Sequence, residues 1–126
     1  MKPITLEWVR KAEGDFATAE RELRAQKNPN YDASCFHSQQ CVEKYPKARL
    51  QESKTPFGKT HDLSVLLDLV LAVEPSWDAL RPDLRALTVF AVEYRYPGDS
   101  ADKEIAREAV ARCRKVRRII RHSLGL

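Results

Sequence analysis

Apolar side chains recur at three- and four-residue steps in five separate stretches, and no stretch of useful length alternates apolar with polar as a strand does. The first holds Trp8, Ala12, Phe16, Ala19 and Leu23, and the second Tyr31, Cys35, Ser38, Val42 and Tyr45, with Ser38 its one small polar member. Leu63, Leu66, Leu67 and Val70 form the third, and Leu80, Leu84, Leu87, Ala91 and Tyr94 the fourth. Ile105, Ala109, Cys113, Val116 and Ile120 form the fifth. Turn-forming residues separate them: Asn28-Pro29-Asn30, Lys54 to Lys59, Glu74-Pro75-Ser76 and Tyr96 to Ser100. The pattern predicts helices over about Thr5–Gln26, Tyr31–Ser53, a segment opening at Thr60, Asp78–Arg95 and Asp102–Ser123. The fold class is therefore all-α, an up-and-down bundle of about five helices forming one domain over residues 1–126.

Local chemistry sharpens the ends. Thr5 and Thr60 are candidate N-caps, with Asp62 favourably placed in a first turn. Pro82 suits a first turn, so the fourth regular helix is expected to start there. Pro46 falls inside the second helix, where proline removes a hydrogen bond and costs about 3 kcal/mol. A kink over residues 42 to 46, rather than a break, is expected.

A chain of 126 residues is long enough for one hydrophobic core. No apolar run approaches the roughly 18 residues that span a bilayer. The N-terminal residues lack the charged and apolar regions of a signal peptide, so a cytoplasmic protein is expected. Cys35, Cys41 and Cys113 are odd in number and show no CxxC spacing. That argues against structural zinc and a disulfide framework, and for small buried thiols. No metal and no cofactor are expected. The net charge of +4 is unevenly spread. Acids and bases cancel over the first helix, whereas Arg112, Arg114, Lys115, Arg117, Arg118 and Arg121 form a run without an acid.

Several polar residues have patterns that suit chemistry. His37, Gln40, Lys44 and Lys47 lie on one face of the second helix, with Gln39 and Glu43 beside them. Such a face can be a solvated surface with Glu43 pairing Lys47, or a groove reading phosphates and base edges. His61 sits near a helix N-terminus, where free N–H groups favour an anion, although capping by Thr60 explains the pattern equally. Tyr94, Arg95 and Tyr96 end the fourth helix and could contact a nucleobase or phosphate. The C-terminal basic run reads either as a solvated helix face or as a phosphate-backbone surface. Arg117 and His122 have the Arg-x4-His spacing of an acid/base pair for RNA cleavage.

Three ordered motifs, Cys35-Phe36-His37-Ser38-Gln39-Gln40-Cys41-Val42-Glu43-Lys44, Lys59-Thr60-His61-Asp62-Leu63 and Arg95-Tyr96-Pro97-Gly98, resemble those of small stand-alone prokaryotic HEPN proteins. The resemblance covers about Thr5 to Leu124. It implies a bundle of about five helices that dimerises, often encoded beside a minimal nucleotidyltransferase in a toxin–antitoxin-like pair. Many HEPN proteins are metal-independent RNases with an Arg-x4-6-His motif. Here no histidine follows Arg95 within that reach, which turns the expectation toward a nucleotide- or phosphate-binding module. Its expected ligand contacts are His37, Gln40, Lys44, His61 and Arg95. An RNase using Arg117 and His122, or Arg95 with a histidine from elsewhere, is one alternative. A purely structural dimerisation module, with the polar face of the second helix as its interface, is the other. At Pro46 the chain departs from the helix-compatible apolar residue, typically leucine, of similar proteins.

Overall fold

The computed structural model describes residues 1–94 and 96–126. Five α-helices are present among them: α1 Pro3–Arg24, α2 Tyr31–Glu52, α3 Leu63–Val70, α4 Arg81–Glu93 and α5 Lys103–Ser123. A 3-10 segment, Pro75–Leu80, leads into α4. No strand occurs among the described residues. α2 is the central element and packs against each of the other four helices.

Polar ties fix the registers. Ser34 Oγ donates to the Ala19 carbonyl at 2.7 Å, and Thr5 Oγ1 donates to Glu52 at 2.8 Å, so α1 and α2 run antiparallel. Arg112 and Lys115 of α5 reach Asp83 near the start of α4, which ties those two helices together. The Ala101 N–H donates to Asp32 at 2.7 Å and Arg121 donates to the Tyr45 hydroxyl at 3.2 Å, so α5 runs alongside α2 in the same direction. The core between these layers contains Val42, Tyr45, Leu50, Leu66, Leu67, Leu87, Val116 and Ile120, together with all three cysteines as buried free thiols. A Leu→Ala change at such positions costs about 2–5 kcal/mol.

Two caps differ from expectation. α1 begins at Pro3, a residue whose missing N–H costs nothing in a first turn, and Thr5 is buried inside the helix with its hydroxyl on Glu52. α3 is capped by Asp62, whose carboxylate accepts from the N–H groups of Ser64 and Val65. Thr60 instead accepts from the Asp62 N–H at 3.1 Å, stabilising the turn before the helix. Asn30 and Asp102 cap α2 and α5 by accepting from Ala33 and Ile105. Pro82 lies in the first turn of α4, as its chemistry requires. Helix α2 continues unbroken through Pro46. Proline has no N–H, so the Val42 carbonyl lacks its helical donor there.

Candidate functional site

The polar positions of α2 divide between two neighbours. His37 and Lys44 turn toward α1, where both donate to the carboxylate of Asp15, His37 at 2.8 Å from Nδ1. Asp15 is buried, and its partners on α2 satisfy a carboxylate that would be costly to leave alone. The sequence carries a signal for this: Asp15 falls on the apolar stripe, three residues after Ala12 and four before Ala19. An acid in phase with a buried stripe calls for a cationic partner.

The other strip of α2 faces a cavity of about 330 Å³, lined by Phe36, Gln39, Gln40 and Glu43, by His61 from the α2–α3 connection, and by Thr88, Ala91 and Val92 of α4. Gln40 Nε2 donates to Gln39 Oε1 at 2.8 Å. This leaves the Gln39 amide nitrogen and the Gln40 carbonyl oxygen for other use. Glu43 is 3% exposed. It pairs with Lys47 one turn on at 3.4 Å, and His61 Nδ1 donates to both its oxygens at 3.2 and 3.1 Å. Lys47 is itself 5% exposed and lies 5.4 Å from the centre of the Trp8 ring. The Glu43–Lys47 pair is therefore present, but buried rather than on a solvated face. A desolvated pair of this kind is weak as a stability device and informative as a site.

Of the expected ligand contacts, the structure brings Gln40 and His61 to this cavity and turns His37 and Lys44 to Asp15. Arg95 lies outside the described residues. The cavity adds Gln39 and Glu43, which the spacing places beside the expected face rather than on it. The N–H groups at the start of α3 are already taken by Asp62, so an anion site at that helix end is filled by the chain's own carboxylate.

The C-terminal basic run is largely neutralised internally. Arg112 and Lys115 pair with Asp83 at 3.1 and 3.0 Å, and Arg114 with Glu20 at 2.9 Å. Arg117 makes two hydrogen bonds of 2.6 Å to Glu13 and lies 4.5 Å from the centre of the Phe16 ring. Glu13 also accepts from the Tyr45 hydroxyl at 2.6 Å, and Arg121 lies 3.4 Å from it. Burial works to raise the Glu13 pKa, but the hydrogen bonds from Arg117 and Tyr45 and the two guanidinium charges outweigh it and hold the carboxyl below its ordinary value. Burial and the Glu13 carboxylate together push the Tyr45 hydroxyl well above the usual tyrosine range. This cluster ties α1, α2 and α5 together. It also occupies Arg117, while the exposed His122 is five positions further on, roughly 140° round the helix.

No group of three or more His, Cys, Asp or Glu residues placed to hold a metal ion occurs among the described residues. None of the described helices is long and apolar enough to cross a membrane.

A central helix carrying a buried polar strip, wrapped by four others, defines a helical bundle with an internal polar cavity. The HEPN domain family model matches residues 5–123, and the chain belongs to the HEPN domain family. The fold is similar to that of a crystal structure described as an archaeal HEPN homologue, with a TM-score of 0.71, 24% sequence identity and 98% of each chain covered. No curated protein matches the chain.

Proposed function

We propose that this HEPN protein is a nucleotide- or phosphate-ligand-binding module that acts as a homodimer beside a minimal nucleotidyltransferase partner, in a toxin–antitoxin-like pair. The observation that carries the binding reading is the polar wall of the α2–α4 cavity. Gln39 and Glu43 are almost fully buried there, yet the cavity is open enough to admit a ring-sized ligand. Burying a carboxylate and an amide in a bundle that only had to fold is costly, and leucine would serve packing better. The partner and the two-gene pairing rest on the family resemblance alone.

Dimerisation draws on a second observation. Val89 is 55% exposed, and Val92, one turn on at the edge of the cavity, is 56% exposed. An apolar pair on the helix that walls the cavity suits contact with a second copy.

Titration of ATP and GTP by calorimetry tests the binding reading. Saturable heat with wild type, lost in a Gln39→Leu/Gln40→Leu variant with an unchanged circular dichroism spectrum, supports it. No heat at millimolar nucleotide refutes it. Co-purification with an adjacent nucleotidyltransferase, if the neighbouring gene encodes one, tests the partner. RNA cleavage abolished by His122→Ala would replace this reading with the nuclease one.

A further inference from the structure

The cavity wall is an unusual neighbour for phosphate. Its most buried group is the Glu43 carboxylate, and Lys44, which could have neutralised phosphate, is engaged by Asp15. An ionised carboxylate offers a phosphate no hydrogen-bond donor but is a strong acceptor for N–H groups. We propose, building on the nucleotide-binding reading, that the cavity holds the base of the nucleotide rather than its phosphates, and that the base it selects presents two adjacent N–H donors with a neighbouring acceptor: the Watson–Crick edge of guanine.

The match follows from the donors and acceptors on the wall. Guanine offers N1–H and the exocyclic N2–H side by side, and a carboxylate accepts both in parallel. O6 lies next to them and needs a donor. The Gln39 amide nitrogen, left free because Gln40 donates to Gln39 Oε1, supplies one from the preceding turn of α2. Adenine presents only one donor site beside an acceptor, so it would leave one Glu43 oxygen facing a lone pair. Cytosine has the same mismatch, and uracil offers a single N–H between two acceptors. Phe36 and the Ala91 and Val92 side of α4 provide apolar walls for the ring.

Glu43 can change partners at low cost. His61, which now donates to it, has a side chain 80% exposed, and such a contact contributes little. A base entering from the mouth of the cavity would replace that contact. Lys47 stays behind Glu43 and keeps its charge compensated before and after binding.

The test is a comparison of GMP, IMP and AMP on the wild-type protein by calorimetry. IMP is GMP without the exocyclic amine. GMP binding about 10- to 100-fold more tightly than IMP, with AMP weaker still, is the expected result. Equal affinities for GMP and AMP overturn the inference and leave nucleotide binding standing. Binding of none of the three overturns both. Glu43→Gln, which keeps the shape but replaces one acceptor with a donor, is expected to abolish the preference for GMP over AMP. A Glu43→Gln protein that is folded and keeps the full preference refutes the assignment to Glu43, and if that variant does not fold, Gln39→Leu gives a second reading, with a loss of GMP affinity expected.

Discussion

Pro46→Ala should stabilise this protein, although Pro46 is buried in the middle of its central helix. Three contributions compete. Proline is about 3 kcal/mol less favourable than alanine in a helix interior, because it lacks an N–H and crowds the preceding turn. Alanine would restore the donor to the Val42 carbonyl. Against this, two buried ring methylenes are lost, at about 0.8 kcal/mol each. The freer unfolded chain costs about a further 0.4–1 kcal/mol. The balance is a gain of roughly 0.5–1 kcal/mol, by the same magnitudes. Urea denaturation followed by circular dichroism at 222 nm should show a higher midpoint with an unchanged slope, and the melting temperature should rise by about 2–5 °C. A loss of 1 kcal/mol or more would refute the reasoning. It would mean that neighbours of α2 are fitted to the proline-shaped helix, so that restoring a regular one disturbs their packing.

Other expectations follow from the polar clusters and the thiols. The Glu13 carboxyl is held below its ordinary pKa, so its contribution is full above the unfolded-state value and is lost as pH falls through the folded one. Wild type should therefore lose stability in acid below about pH 5 more steeply than Glu13→Gln, as read by melting temperature across a pH series. Equal slopes would exclude Glu13 as a source of acid sensitivity. Burial, with Asp32 and Asp102 nearby, pushes the Cys35 thiol up to about 12, and Cys41 is raised by its own burial. Ellman's reagent at pH 8 should label none of the three cysteines in the native protein and all three in denaturant; rapid native labelling would contradict their enclosure. Val89→Asp should convert a dimer to a monomer in light scattering with no loss of helicity, and an unchanged mass would remove this face of α4 from the interface.

The helices were legible because each buries a stripe at the 3.6-residue period, which the sequence displays directly. The cap errors at Thr5 and Thr60 arose where a neighbour competed. Pro3 can open a helix two residues before Thr5, and Asp62 is a better acceptor than Thr60. The candidate site was half legible. Spacing identifies which α2 residues share a face, but not which face meets which helix. His37 and Gln40 lie one turn apart, yet one turns to Asp15 and the other to the cavity. That division depends on a contact between residues more than twenty positions apart, and a local pattern does not encode it. Glu43 read as the surface partner of Lys47 because i,i+4 pairing is usually a surface device. Its burial comes from α4 and the His61 segment closing over it.

The central claim, that the cavity between α2 and α4 is the ligand site, is tested most directly by titrating GMP into the isotope-labelled protein and following amide and side-chain shifts by NMR. The account predicts saturable shifts centred on the side-chain amides of Gln39 and Gln40 and on the backbone of Glu43, His61 and Thr88. Shifts confined to the basic run of α5, from Arg112 to Arg121, would contradict it.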